Sequence, residues 1–293
     1  MTPRDVLSAL VSALFFGLAF IAIKIGFHET TPLLLTALRF AFAAFPAVLF
    51  VKPPKAPFGL TMLYGLTIGV GQFGVLFIAI GRGMPVGLAS LVIQLQVFVT
   101  IFLAWAWLGE KPKPVQLVSA GVALLGIVII GSERIHGASL LPFIMVIGAA
   151  CCWGLGNLVG KLAGKIDMFA FIVWSSLAAP LPLLVLSFLL EGGVTPLVGL
   201  LHPSLALVLS VAMLSYAGTL VGYGLWSRLL GIYSASAVAP FALLIPVVGM
   251  IGGAIVFDEP LTAIELIGAA LVMAGLTFNV FGDRLASRHP RAA

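Results

Sequence analysis

Ten apolar stretches, each long enough to cross a lipid bilayer, run through this chain and fall into two matching sets of five. An α-helix rises about 1.5 Å per residue, so about 20 apolar residues span the hydrocarbon core, and a helix satisfies its own backbone groups there. The expected spans are residues 6–27, 33–51, 58–80, 86–107, 115–131, 140–163, 168–190, 205–229, 233–257 and 261–281. They predict an all-α integral membrane protein with ten transmembrane helices. Charged residues make up 9% of the chain, against roughly 25% in an average globular domain, which leaves little room for a soluble enzyme. The first stretch continues the spanning pattern and recurs at Ala150, so it reads as a helix of the fold rather than a cleaved signal peptide.

The repeat is visible residue by residue. Ala13, Gly17, Leu18 and Lys24 match Ala150, Gly154, Leu155 and Lys161 at a constant offset of 137, while Glu110, Leu117, Ala120 and Gly126 match Glu259, Leu266, Ala269 and Gly275 at an offset of 149. The second half therefore carries 12 more residues, most simply placed in the polar stretch 191–204. The repeats are assigned to residues 1–135 and 136–293, the second ending in a short basic tail. Five helices per repeat is an odd number, so the two halves cross the membrane in opposite senses, as in many inverted-repeat transporters. Cytoplasmic loops carry an excess of Lys and Arg. With the N-terminus inside, Lys52, Lys55, Lys111, Lys113, Lys165 and Arg228 all fall on the cytoplasmic side, with only Arg82 and Arg134 on opposite loops. Both termini are then cytoplasmic. The net charge of +5 is explained by topology, and no nucleic-acid partner is expected.

Several strings carry a family resemblance: Phe16-Gly17 and Trp153-Gly154 followed by Lys24 and Lys161, the segment Leu38-Arg39-Phe40, the tract from Pro85 to Val92, and the helix-ending Gly109-Glu110 and Asp258-Glu259. They resemble an EamA-type member of the drug/metabolite transporter superfamily. The strings from Leu91 to Gln96, Val221 to Trp226 and Leu244 to Gly249 are similar to the bacterial exporters of amino acids and their metabolites, including the cysteine/O-acetylserine and aromatic-amino-acid exporters. The resemblance implies a basket of ten helices around a central cavity, placed in the bacterial inner membrane and exporting small molecules from the cytoplasm. Alternating access, broad specificity and a monomer are the expectations. A different small metabolite or drug as cargo, or a membrane protein that transports nothing, are the alternatives.

Polar side chains at membrane depth mark the candidate cavity, because they are costly unless they face protein or water. Gln72 lies in the third span, Gln94 and Gln96 in the fourth, and Asn157 in the sixth. Trp153, Gly156, Asn157, Gly160 and Lys161 recur at spacings of three and four and share one helical face. Tyr216, Thr219, Tyr223 and Trp226 do the same on the eighth span. The expected substrate-binding set is Gln72, Gln94, Gln96, Trp153, Asn157, Lys161, Tyr223 and Trp226. Interhelical glue is the competing account, since amides bond across helices and small residues permit close approach. Lys24 and Lys161 are read as snorkelling to the interface, with pairing to a substrate carboxylate or an interhelical carbonyl as the alternative, and Arg39 as a structural anchor within reach of the external surface. Pro240 and Pro246 interrupt the ninth span, as a gate or as a static kink. Cys151 and Cys152 are adjacent within a span and are read as apolar packing.

Every acidic residue falls in a loop, a tail or an end turn, with Glu265 the deepest, and the histidines lie outside the spans. No acid–base pair, metal cluster or phosphate-cradling loop is visible, so neither an enzyme nor a metal or cofactor is expected. A proton relay has no obvious carrier, and the expectation is flow down the substrate's own gradient or coupling by a route the sequence does not display.

Overall fold

The computed structural model describes residues 1–135, 140–164, 166–233, 238, 241–259 and 261–286, and these contain no strand. Ten helices of 14 residues or more are present among them. Nine are long and apolar enough to cross a membrane. These are α1 (Pro3–Phe27), α2 (Pro32–Leu49), α3 (Phe58–Gly81), α4 (Val86–Leu108), α5 (Pro114–Ile135), α6 (Leu140–Leu162), α7 (Met168–Leu190), α8 (Leu205–Trp226, continued by Tyr223–Ile232) and α10 (Ala263–Ala286). The tenth, α9 (Leu244–Phe257), has 14 residues and is shorter than the span 233–257 read from hydropathy. The reason is local: the helical path breaks in a turn at Leu243, and Pro246 sits in the first turn of α9, where its missing N–H needs no partner. Pro240 lies outside the described residues. The stretch 191–204 is not wholly irregular, since Thr195–Val198 and Gly199–Leu201 form helical turns within it.

Local chemistry sets the helix ends. Thr2 accepts from Asp5 N at 3.2 Å at the start of α1, Asp167 from Phe169 N at 3.0 Å at the start of α7, and Ser204 from Leu207 N at 3.0 Å at the start of α8. The two helices that end in the paired Gly109-Glu110 and Asp258-Glu259 strings close in the same way. Gly109 (φ +70°) and Asp258 (φ +50°) are both left-handed caps, and each turns the following glutamate back toward the bundle. α10 begins with a reciprocal capping box: Glu265 N donates to Thr262 Oγ1 at 3.2 Å and Thr262 N to Glu265 Oε2 at 3.1 Å. Glu265 is buried, yet its carboxylate is engaged in this cap. A glutamine can make the same bond, so Glu265→Gln is expected to keep substrate counterflow and to cost less than about 1 kcal/mol of stability. Loss of counterflow in well-folded Glu265→Gln protein would give that carboxylate a part in transport.

The two halves run in opposite senses. Asp5, at the start of α1, pairs with Arg228 at 3.1 Å and accepts from the Tyr233 hydroxyl at 2.7 Å. Arg228 in turn shares one recess with Lys52 and Lys55 of the α2–α3 connection and with Asp167 of the α6–α7 connection. α1 therefore starts at the end of the bundle where α6 finishes, so these equivalent helices are antiparallel. Glycine governs how closely the helices approach, as expected where lipid supplies no hydrophobic drive for helix association. In the α5–α10 pair a Cβ on Gly126 would lie 2.5 Å from the Gly268 carbonyl, and one on Gly268 would lie 2.8 Å from the Gly126 carbonyl. Gly126 and its repeat partner Gly275 both face this contact. α5 and α10 pack on each other outside the ring formed by the other eight helices, whose residues or adjoining turns enclose a central cavity.

Candidate substrate cavity

The cavity wall is built from irregular helix. Leu66–Gly74 of α3 and Met213–Gly222 of α8 are π-helical, each in the third helix of its repeat. Ile93–Leu95 of α4 tightens into a 3-10 turn. π-turns are rare and collect at functional sites because they re-aim side chains and loosen the regular ladder. Such backbone is tolerated at membrane depth only where protein or a cavity receives the freed groups. Thr219 Oγ1 donates to the Leu214 carbonyl at 2.8 Å, and Gln94 Nε2 donates at 3.2 Å to the Ala242 carbonyl beside the α9 break.

The cavity has a volume of about 470 Å³, within the roughly 300–1,000 Å³ typical of small-molecule sites. Gln72, Gln94, Gln96, Trp153, Asn157, Tyr223 and Trp226 all lie on its wall. Their hydrogen bonding divides them. Asn157 Nδ2 donates to Gln96 Oε1 at 2.8 Å and to Thr100 Oγ1 at 3.0 Å, which ties α6 to α4. Gln94 is engaged with Ala242. Gln72 is buried with its Oε1 unpartnered. Phe16 joins the aromatic wall with its ring centroid 4.9 Å from Tyr223 and 6.2 Å from Trp226. The glycines of the α6 face act as close contacts: a Cβ on Gly156 would lie 2.4 Å from Ile68 Cδ1, and one on Gly160 3.4 Å from Tyr64.

Three sequence expectations are corrected here. Lys161 does not line the cavity; its Nζ donates to Glu110 Oε1 at 2.6 Å near the end of α6. Tyr216 does not share the cavity stripe with Tyr223, because the π-turn changes the helical phase and leaves Tyr216 39% exposed on the outside. Arg39 does not reach the external surface. It is 2% exposed, its guanidinium carbon lies 3.9 Å from the Phe73 ring centroid, its Nε donates to Thr219 Oγ1 at 3.2 Å, and it lines the cavity. Its depth carried the signal. Arg39 is the eighth residue of α2, about 10 Å from the helix start at 1.5 Å per residue, and α3 and α8 hold the side chain sideways.

The repeat-related lysines and glutamates pair across the repeats, one pair at each end. Lys24 Nζ meets Glu259 Oε1 at 2.7 Å and lies 4.5 Å from the Phe257 ring centroid, while Glu259 also accepts from Val86 N at 3.2 Å and Gly87 N at 3.3 Å. The Glu259 side chain is 11% exposed. At the other end Lys161 and Glu110 are both about half exposed. That end also holds a recess of about 990 Å³ bounded by Lys52, Lys55 and Arg228, which shares Met168 with the cavity wall. The Lys24 end is thus the more firmly closed.

The sequence model described as the EamA-like transporter family matches residues 4–132 and again 140–281. The chain is 40% identical over 290 residues to a probable amino-acid metabolite efflux pump of Escherichia coli, covering 97% of each chain, and 40% identical over 291 residues to a protein of the same description from Salmonella typhimurium, again covering 97% of each. It is 24% identical over 292 residues to an uncharacterized inner membrane transporter of Escherichia coli, covering 95% of this chain and 91% of the other. A solved crystal structure superposes over the whole of both chains with a TM-score of 0.67 at 18% identity, which speaks to the fold alone.

Proposed function

Because this chain belongs to the EamA-like transporter family, we propose that it exports amino acids and related metabolites across the bacterial inner membrane by alternating access. It is a multi-pass membrane transporter. The observation that carries the reading is a cavity of about 470 Å³, walled by aromatic rings and amides, between two cross-repeat ion pairs of unequal burial. In this reading the repeats rock about the cavity and exchange closure at the Lys24 end for closure at the Lys161 end. The description of the 40% identical relatives supports the cargo class. The wall supports a broad specificity: Phe16, Trp153, Tyr223 and Trp226 line it, and binding through buried apolar area tolerates many side-chain shapes. The lysine-rich loops support a cytoplasmic position for the Lys161 end and both termini.

Purified protein in liposomes, preloaded with unlabelled compound and presented with a panel of labelled amino acids, tests the reading. Protein-dependent counterflow of several members is expected. Flux of none would refute amino-acid export, and flux of one alone would refute breadth. In cells, an impermeant thiol reagent should fail to reach Lys111→Cys from outside; external labelling would invert the orientation.

A further inference from the structure

Two residues of the cavity wall each carry a buried polar atom that lacks any partner among the described residues, and the two atoms are of opposite kinds. One is Nη1 of Arg39, a cationic donor, and the other is Oε1 of Gln72, a neutral acceptor. Buried polar groups are normally satisfied, and a charge in a low-dielectric interior is normally paired. No acidic side chain lines the cavity among the described residues, so the guanidinium meets no counter-ion there. Its orientation is nevertheless fixed. The Phe73 ring stacks against the guanidinium, Thr219 takes the Nε hydrogen, and the Thr219 hydroxyl is itself directed at the Leu214 carbonyl. The backbone at Arg39 is held too, since Ser215 Oγ donates to the Arg39 carbonyl at 2.9 Å. A side pocket of about 20 Å³ adjoins Arg39 and shares Tyr64, Phe73, Ile172 and Tyr223 with the main cavity. That is room for one water or one carboxylate oxygen.

We propose that Arg39 and Gln72 form the head-group subsite of the cavity, Arg39 binding the carboxylate of an α-amino acid through Nη1 and Gln72 accepting from its ammonium through Oε1. A guanidinium held in one plane is preorganised for a carboxylate, and little ordering remains to be done when one binds. With the head group at Arg39 and Gln72, the substrate's side chain lies toward Trp153, Tyr223 and Trp226, where apolar area and not hydrogen bonding does the selecting. Asn157 and Gln94, whose amide nitrogens are engaged with Gln96, Thr100 and Ala242, then shape the wall and leave head-group recognition to Arg39 and Gln72.

This inference rests on the cavity being the substrate site and is tested by readouts that separate the two. In liposomes, a transported amino acid competes against its own amide, which masks the carboxylate, and its N-acetyl derivative, which masks the ammonium. Ligand-induced thermal stabilisation of the detergent-solubilised protein is measured with the same three compounds. The native protein should prefer the free amino acid over the amide by at least about tenfold, the scale of losing one partner of a desolvated ion pair. Arg39→Gln should abolish that preference while leaving discrimination against the N-acetyl compound, and Gln72→Leu should do the reverse. A native protein indifferent to the amide overturns the proposal without recourse to any variant, as does a folded Arg39→Gln protein that keeps the preference. Carboxylate-dependent stabilisation that requires Arg39, without flux, would leave the subsite standing and remove export. Flux with no dependence on Arg39 would do the opposite.

Discussion

Glu259→Ala is expected to shift the resting conformation by roughly a hundredfold toward a state open at the Lys24 end, whereas Glu110→Ala should shift it by less than about fivefold, toward opening at the Lys161 end. The difference lies in what each carboxylate holds. Glu259 accepts from the Lys24 ammonium and from the backbone N–H groups of Val86 and Gly87, and its side chain is largely buried. Its removal leaves a cation and two amide donors without their acceptor. Hydrogen bonds to a charged group are worth about 1.5–3 kcal/mol each, and partial exposure of Lys24 reduces the total to about 2–3 kcal/mol. The Lys161–Glu110 pair is half exposed at both partners, and exposed pairs are worth at most about 1 kcal/mol. Charge exchange sharpens the test. Lys24→Glu with Glu259→Lys should fail to restore closure, because a lysine cannot accept from Val86 and Gly87. Lys161→Glu with Glu110→Lys should restore it. The readout is impermeant labelling of a cysteine at Ala19 on the cavity wall, with Cys151 and Cys152 replaced by serine. Equal effects of the two glutamate substitutions would remove the assigned difference between the ends.

Gly65→Ala should cost about 3 kcal/mol or more of stability, at or beyond the upper end of overpacking effects, and lower the yield of folded protein. A Cβ on Gly65 would lie 1.9 Å from the Ser175 carbonyl oxygen and 2.8 Å from Ala178 Cβ. The obstacle is backbone, so no side-chain rotation relieves it and α3 must move away from α7. That crossing also seats Tyr64 against Phe171, with ring centroids 4.9 Å apart, and bounds the side pocket at Arg39. Gly121→Ala on α5 supplies the contrast, since a Cβ there meets nothing within 4 Å. It should be neutral or stabilising by up to about 1 kcal/mol through helix propensity. Thermal unfolding in detergent measures both, and similar melting temperatures for the two variants would contradict the assigned α3–α7 contact.

Features governed by short-range rules and by the solvent are legible in the chain before any fold is known. Spanning stretches can be read because lipid demands a run of apolar residues with internally satisfied backbone. The repeat can be read because Lys24 and Lys161, Glu110 and Glu259, and Gly126 and Gly275 stand at fixed offsets. An odd helix count per repeat then dictates the inversion. Gln72, Gln94, Gln96, Trp153, Asn157, Tyr223 and Trp226 could be placed toward one interior because polar and aromatic side chains at that depth need protein or water.

The partners of those residues come from the packing of the helices. Lysines and glutamates recognisable as repeat equivalents form pairs across the repeats, contacts separated by 235 and 51 residues that no local pattern encodes. The π-turns in α3 and α8 shift the helical phase, so a stripe drawn at regular spacing placed Tyr216 with Tyr223 when the two part. Gln94 is committed to a carbonyl freed by a break in another helix, and Arg39 is turned inward by Phe73 and Thr219 from two further helices. Hydrophobic periodicity fixes which face of a helix is buried. Which buried polar atom finds a partner, and which is left without one, depends on helices distant in sequence meeting at one depth.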